Sequence, residues 1–184
     1  MKRVDYNRYL IAVVPPEKVC EKIEKIKYHF RDNYNSRASL HAPPHVTLHM
    51  PFEWKDKKED ALCDALKKFF LTQSQFDLEL LNFSSFPPKT IFVDVVTSQM
   101  LNMLEERLHD FCKKELNLFN ARYKDLPFHP HITVAFRDLS KTTFAEAWTD
   151  FRSRTFSDKF TVSKISLLKH NTKVWEPLVD FYLN

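Results

Sequence analysis

The sequence predicts a single α+β domain in which one unit, strand–helix–strand–helix–strand, is used twice. Three observations favour this fold class. Runs with the two-residue period of strands alternate along the chain with runs of helical period. A length of 184 residues with 43% hydrophobic content suits one globular domain. The tripeptide His-x-Thr occurs once in each half, at His45–Thr47 and at His131–Thr133.

The first half supplies three predicted strands and two helices. Residues 8–14 form an apolar run with β-branched side chains, which is typical of a strand. Pro15 and Pro16 then suit the start of a helix that runs to about Arg31. The other elements predicted here are a strand at 44–52, a helix at 61–70, a strand at 76–83 and a turn at 86–88.

The same order of elements begins again at Thr90. The predicted elements are a strand at 90–96, a helix at 101–112, a strand at 128–136, a short helix at 141–151, and strands at 160–168 and 174–182. Residues 9–14 match 90–95 at an offset of 81, the His-x-Thr motifs match at 86, and Phe76 matches Phe160 at 84. These offsets predict one domain, 1–184, made of two pseudo-repeats at about 1–86 and 87–184.

Composition excludes several function classes. With no glycine, the chain lacks the Walker loop, the dinucleotide fingerprint and the nucleophile elbow. A net charge of +4 tolerates an anionic ligand without the dense basic stripe of a typical nucleic-acid binder. Cys20, Cys63 and Cys112 are far apart, which predicts free thiols in a reducing cytoplasm. No run is long enough to span a membrane and we identify no secretory signal, so we expect a cytoplasmic protein.

The two motif strands predict a site built from imidazoles and hydroxyls. Successive side chains on a strand alternate between faces, so each strand is expected to present three polar groups together: His45, Thr47 and His49 on the first, and His129, His131 and Thr133 on the second. Histidine titrates near neutral pH, so one ring can act as a base while its partner acts as an acid at a phosphodiester. Threonine hydroxyls can then stabilise the charged oxygens.

Other interpretations stay open at this point. His45, His49, His129 and His131 are also suitable ligands for an all-histidine zinc, copper or iron site in a metal-dependent hydrolase, although the motif strands carry no carboxylate cluster. A module that binds an RNA end or a nucleotide phosphate without turnover is a third hypothesis. A nucleophilic triad is disfavoured, because no serine or cysteine lies in a recognisable signature.

Two segments, Pro44–Leu48 (PHVTL) and Phe128–Ala135 (FHPHITVA), resemble the paired motifs of the 2H phosphoesterase superfamily. This superfamily includes the 2′-5′ RNA ligase-like proteins and the cyclic phosphodiesterases. The resemblance extends to residues 8–16 and 89–93, and so covers nearly the whole chain. It implies a bilobal fold with two pseudo-symmetric antiparallel sheets flanking a cleft and with helices outside. It also implies a phosphodiesterase without metal or cofactor that acts on 2′,3′-cyclic phosphates or 2′-5′ bonds of nucleotides or RNA ends. We expect a monomer engaged in RNA processing.

The resemblance assigns catalysis to the matched quartet: His45, Thr47, His131 and Thr133. Four more side chains are expected to bind substrate: Phe92, Arg8, Lys89 and Arg137. Phe92 stands where many relatives carry an aromatic residue, which would contact a base. Arg8 and Lys89 precede predicted equivalent strands and would attract phosphate, as would Arg137 just past the second motif strand.

Overall fold

The computed structural model describes residues 5–122 and 126–184, and its elements follow the predicted order. The strands are β1 (Tyr6–Val13), β2 (Val46–Lys55), β3 (Phe76–Phe86), β4 (Thr90–Val95), β5 (His131–Ala135), β6 (Ser157–Val162), β7 (Lys164–His170) and β8 (Trp175–Tyr182). The helices are α1 (Glu17–Tyr34), α2 (Glu59–Phe70), α3 (Gln99–Glu115) and α4 (Lys141–Phe151), with short 3-10 turns at Ala38–His41 and Asp56–Lys58.

The strands form two antiparallel sheets of four strands each. Sheet A has the order β2-β1-β7-β8, and sheet B has the order β5-β4-β3-β6. Helix α1 packs against β5, α2 against β8 and α3 against β2, and one hydrophobic core joins these helices to both sheets. The predicted α+β class with two antiparallel sheets is therefore confirmed.

Prolines explain where the motif strands differ from their predicted bounds. The first motif strand was expected from residue 44, but β2 begins at Val46, after Pro43 and Pro44. The second was expected from residue 128, but β5 begins at His131, directly after Pro130. Proline has no backbone N–H and cannot donate to a sheet ladder.

The predicted strand at 160–168 is wrong, because these residues are the end of β6 and the start of β7, which belong to different sheets.

The strand register corrects two of the predicted matches between the halves. Ala12 lies opposite Thr47 and Phe92 lies opposite Thr133, so the first strands of the two halves are equivalent at an offset of 80 residues rather than 81. The match of Phe76 with Phe160 fails, because β3 and β6 are neighbours within sheet B. The third strand of the first half pairs instead with β4 of the second half, and β7 of the second half pairs with β1. The division at about residue 86 stays a prediction.

Each motif strand carries a β-bulge one residue after its threonine. In β2 the extra residue is Leu48, because Thr47 lies opposite Ala12 while His49 lies opposite Ile11. A bulge of this kind shifts the alternation of side chains by one position. His49 therefore lies on the core face and is fully buried, and the expectation that it shares the face of Thr47 is wrong. In β5 the equivalent extra residue is Val134.

Features outside the sheets agree with the composition. Cys20, Cys63 and Cys112 are free thiols, as predicted. In a chain without glycine, asparagine takes three of the left-handed backbone positions, Asn35, Asn82 and Asn117. None of the helices in the described ranges is long and apolar enough to cross a membrane.

Candidate active site

The two His-x-Thr motifs lie on strands that face each other. Strands β2 and β5 are edge strands of sheets A and B, and they contact each other. In each motif the histidine and the threonine are half-buried, while the residue between them, Val46 or Ile132, is fully buried in the core. The alternation predicted for these tripeptides is therefore present, and the topology brings the two motif strands together.

Both motif histidines are oriented in the same way. The Nδ1 atom of His45 lies 2.7 Å from the carbonyl oxygen of Pro43, and the Nδ1 atom of His131 lies 2.7 Å from the carbonyl oxygen of His129. A carbonyl can only accept a hydrogen bond, so Nδ1 carries the proton in each ring. The Nε2 atom of each neutral imidazole is then left as a base, and it becomes an acid when protonated.

A cavity of about 760 Å³ opens beside the motifs. Three members of the quartet line it, Thr47, His131 and Thr133, together with the cationic side chains of Lys89 and Arg137. His45 does not line it, but a charge on His131 lowers the pKa of His45, so the two rings are within electrostatic reach. The cavity thus combines acid–base groups, hydroxyls and cations, which is a suitable set for a phosphate ester.

The cavity extends away from the quartet along a largely apolar wall. This wall includes Leu48, Met50, Leu126, Pro127, Phe128 and Phe136. An ion pair that sequence reasoning missed also lines this cavity, where the Arg122 Nη2 atom donates to the Glu105 Oε2 atom at 2.7 Å and the Nε atom to Oε1 at 2.9 Å. Glu105 is buried, so the pair neutralises a carboxylate that would otherwise be costly to bury.

The histidines of the metal hypothesis do not gather on one face. His49 points into the core, whereas His131 lines the cavity. Among residues 5–122 and 126–184, no three histidine, cysteine, aspartate or glutamate side chains are grouped so that they would hold a metal ion. The residues that the structure describes therefore do not form the predicted all-histidine ligand set.

Burial and nearby positive charge keep His45 neutral. The pKa of His45 is lowered to about 4, chiefly by burial and also by the charges of Lys27 and His131, while the hydrogen bond to Pro43 opposes this shift. Lys27 is itself buried in α1, where its Nζ atom donates to the carbonyl oxygens of Ser39 and Ala42 at 3.0 Å each. Sequence reasoning missed Lys27, although a lysine four residues after Ile23 on the apolar face of α1 was a visible signal.

The surroundings of His131 differ in charge. The pKa of His131 is lowered, chiefly by burial and also by a charge on the His129 ring. The hydrogen bond to the carbonyl of His129 and the charge of Asp94 oppose this shift. Asp94 lies opposite His131 in the register of β4 and β5, and its Oδ1 atom lies 3.3 Å from the Nε2 atom of His129. Asp94, on the neighbouring strand β4, therefore supplies a carboxylate beside the second motif strand. Side chains alternate along a strand, which places Asp94 on the same face of β4 as Phe92, and this was the signal that sequence reasoning missed.

Phe92 packs under the ring of His131 and does not line the cavity. Its ring is fully buried and lies 4.7 Å from the ring of His131 and 4.5 Å from that of Phe86. The expectation that Phe92 contacts a base is therefore corrected, because the side chain has no exposed surface. Phe86 is 42% exposed and lines the cavity, so it is the aromatic side chain that a ligand can reach.

The three predicted cations separate into two groups. Lys89 and Arg137 line the cavity. Arg137 lies two residues after the end of β5, and its backbone is left-handed, with a φ of 66°. Non-glycine residues in this strained region are concentrated at functional sites. Arg8 does not line the cavity, and its guanidinium lies 5.4 Å from the ring of Trp175. With the corrected offset of 80, Lys89 is the equivalent of Tyr9, so Arg8 and Lys89 are not a matched pair.

Sequence comparison places the whole site within one family. A sequence model of the 2′-5′ RNA ligase superfamily matches residues 15–173. The chain is 31% identical over 163 residues to a protein of Geobacillus sp. strain WCH70 that bears the name "Putative phosphoesterase". The aligned residues make up 88% of this chain and 87% of that relative. A protein of the same description from Oceanobacillus iheyensis is 28% identical over 166 residues, with 88% of each chain covered.

Solved structures share the fold across nearly the full length. TT0787 of Thermus thermophilus has a TM-score of 0.69 at 19% identity, covering 96% of this chain and 97% of that one. Escherichia coli LigT complexed with 3′-AMP has a TM-score of 0.62 at 19% identity, covering 98% and 99%. The chain therefore belongs to the 2′-5′ RNA ligase superfamily, the 2H phosphoesterase group whose paired motifs it carries.

Proposed function

We propose that the protein is a metal-independent phosphodiesterase that acts on 2′,3′-cyclic phosphates or 2′-5′ phosphodiester bonds of nucleotides or RNA ends. The observation that carries the proposal is the matched pair of imidazoles. Both His45 and His131 are held through Nδ1 by a backbone carbonyl two residues earlier, on edge strands in mutual contact, and each precedes a threonine by two residues. A pair of this kind is suited to removing one proton and delivering another around a single phosphorus.

The proposed reaction with a cyclic phosphate is a hydrolysis. One imidazole accepts a proton from a water molecule as the water oxygen bonds to phosphorus. The bond from phosphorus to the 2′ or 3′ oxygen breaks, and the second, protonated imidazole gives its proton to that oxygen. The product is a phosphomonoester. Thr47 and Thr133 donate hydrogen bonds to the non-bridging oxygens as negative charge develops there.

We assign the base to His45 and the acid to His131. Lys27 lowers the pKa of His45 and so disfavours a proton on this ring. Burial lowers the pKa of His131 as well, but there Asp94 opposes the shift, and no carboxylate of the described residues acts on His45 in this way. A negatively charged substrate will add to the attraction for that proton, which makes His131 the better donor to the leaving oxygen.

Substrate size and charge support a nucleotide. A cavity of about 760 Å³ lies within the range of pockets that hold small ligands and cofactors. Lys89 and Arg137 provide positive charge for phosphate, and Phe86 an exposed ring for a base. The structural neighbour LigT has been crystallised with 3′-AMP, NADP+ and ATP. We propose the same broad ligand class here, in a cytoplasmic monomer that takes part in RNA processing.

A substrate screen with EDTA present tests the proposal. The panel contains 2′,3′-cyclic nucleotides, ADP-ribose cyclic phosphate and 2′-5′ dinucleotides, and we expect at least one to be converted to a monoester. Activity that disappears in EDTA and returns with one metal ion would favour the metal-dependent hydrolase instead. Tight binding of cyclic-phosphate RNA with no product in a single turnover would favour the binding module.

A further inference from the structure

A strip of sheet A leads away from the quartet on the face of Thr47. Ala12 lies opposite Thr47, and alternation along β1 places Leu10 and Arg8 on the same face. Leu10 lies opposite Leu168 of β7. Ala12, Leu10 and Leu168 form a small apolar cluster separate from the main core, and Trp175 packs against it. Trp175 therefore packs over a row of buried side chains that leads from Thr47 along this face of sheet A.

The far end of this strip carries an aromatic ring, Trp175, in contact with an arginine and a histidine. The guanidinium of Arg8 lies 5.4 Å from the centre of the Trp175 ring, and the His170 ring lies 5.0 Å from it at 62°. Arg8 is exposed, while Trp175 and His170 are half-buried. Unpaired RNA bases stack on aromatic rings and on arginine guanidinium planes, so this group has the chemistry of a base-stacking platform.

The His170 ring lies within electrostatic reach of Arg8 and of His41. Burial lowers the pKa of His170, and the charges of Arg8 and His41 lower it further. His41 is exposed in the 3-10 turn four residues before His45. One acidic residue, Glu53, lies opposite Arg8 in β2 and limits the local charge. A phosphate placed beside the guanidinium of Arg8 would be attracted to its positive charge.

We propose that this face of sheet A, which we call the sheet A platform and define by Arg8, His41, His170 and Trp175, binds the single-stranded RNA that leads to the terminal phosphodiester. The inference rests on the proposed function and narrows its substrate class from mononucleotides to RNA ends. Arg8 is four residues from Ala12, or about 13 Å along the strand. At about 3.4 Å per stacked nucleotide, that distance corresponds to at most about four nucleotides. Duplex RNA is disfavoured, because long duplex binding depends on many more cationic contacts than a net charge of +4 suggests.

The test compares substrates that carry the same 2′,3′-cyclic end but contain one, two, four or eight nucleotides. We expect kcat/KM to rise at least about tenfold from one nucleotide to four and then to level off. Arg8→Ala and His41→Ala should lower the four-to-one ratio about tenfold. Lys68→Ala, an exposed cation on the outer helix α2, is the control and should leave the ratio unchanged.

A binding measurement covers the case in which turnover itself is slow. With the His131→Ala variant and a four-nucleotide RNA that ends in a 3′-phosphate, tryptophan fluorescence should fall on binding, and Trp175→Phe should remove that change. A kcat/KM that is equal for one and four nucleotides, or variants that lower both substrates alike, would overturn the platform while leaving the phosphodiesterase intact. Cleavage of none of the substrates, with normal RNA binding through Trp175, would overturn the phosphodiesterase and leave the platform intact.

Discussion

The lowered pKa of His45 gives the pH dependence of the free energy of unfolding a definite sign and size. Its pKa is about 4 in the folded protein, against 6.5 for an unperturbed histidine. Because the folded state resists protonation that the unfolded chain accepts, this contribution to stability is lost as the pH falls through 6.5 towards 4. Proton linkage between these two values makes His45 responsible for about 2 kcal/mol of the stability lost between pH 7 and pH 5.

Urea unfolding at pH 7 and at pH 5 measures this contribution directly. We compare the parent protein with His45→Gln. His45→Gln should lose about 2 kcal/mol less than the parent between the two pH values. An equal loss in the parent and in His45→Gln would refute the neutral state of His45 in the folded protein.

Three further predictions concern turnover. With a nucleoside 3′-(p-nitrophenyl phosphate), whose leaving group needs no acid, His131→Ala should keep far more of its activity than His45→Ala; equal losses would contradict the assignment of acid and base. Lys27→Met should shift the acid limb of the pH profile of kcat/KM to higher pH, because it removes a charge that lowers the pKa of His45. Lys25→Met, at an exposed position of the same helix, should leave the profile unchanged. Superimposable profiles of the parent and Lys27→Met would contradict this prediction. Thr133→Val should lower kcat by about 100-fold with a small change in KM, and a change in KM alone would argue against a role in the transition state.

Local patterns were enough to predict most of the elements and the two motif strands. Alternation within the His-x-Thr tripeptides placed Val46 and Ile132 in the core, and the structure confirms this. Pro15 and Pro16 marked the start of α1, which begins at Glu17. These features depend on neighbours within a few residues, so a single sequence contains the information that determines them.

Features that depend on pairing between distant strands were not predictable in the same way. The bulge at Leu48, which turns His49 into the core, is defined by its register with β1 rather than by β2 alone. Phe92 was expected to reach the ligand, but Phe86 and the ring of His131 cover it. Lys27 acts on His45 through its charge, a relation that only the folded chain creates.

The central claim is that His45 and His131 serve one phosphorus, and a double-mutant comparison of kcat tests it most directly. In the presence of EDTA, His45→Ala and His131→Ala should each lower kcat on the best cyclic substrate by at least about 1,000-fold. The double variant should then be hardly slower than the slower single variant, because groups that act as a unit are not additive. Wild-type kcat in either single variant, or losses in the double variant that multiply as for independent sites, would contradict the account.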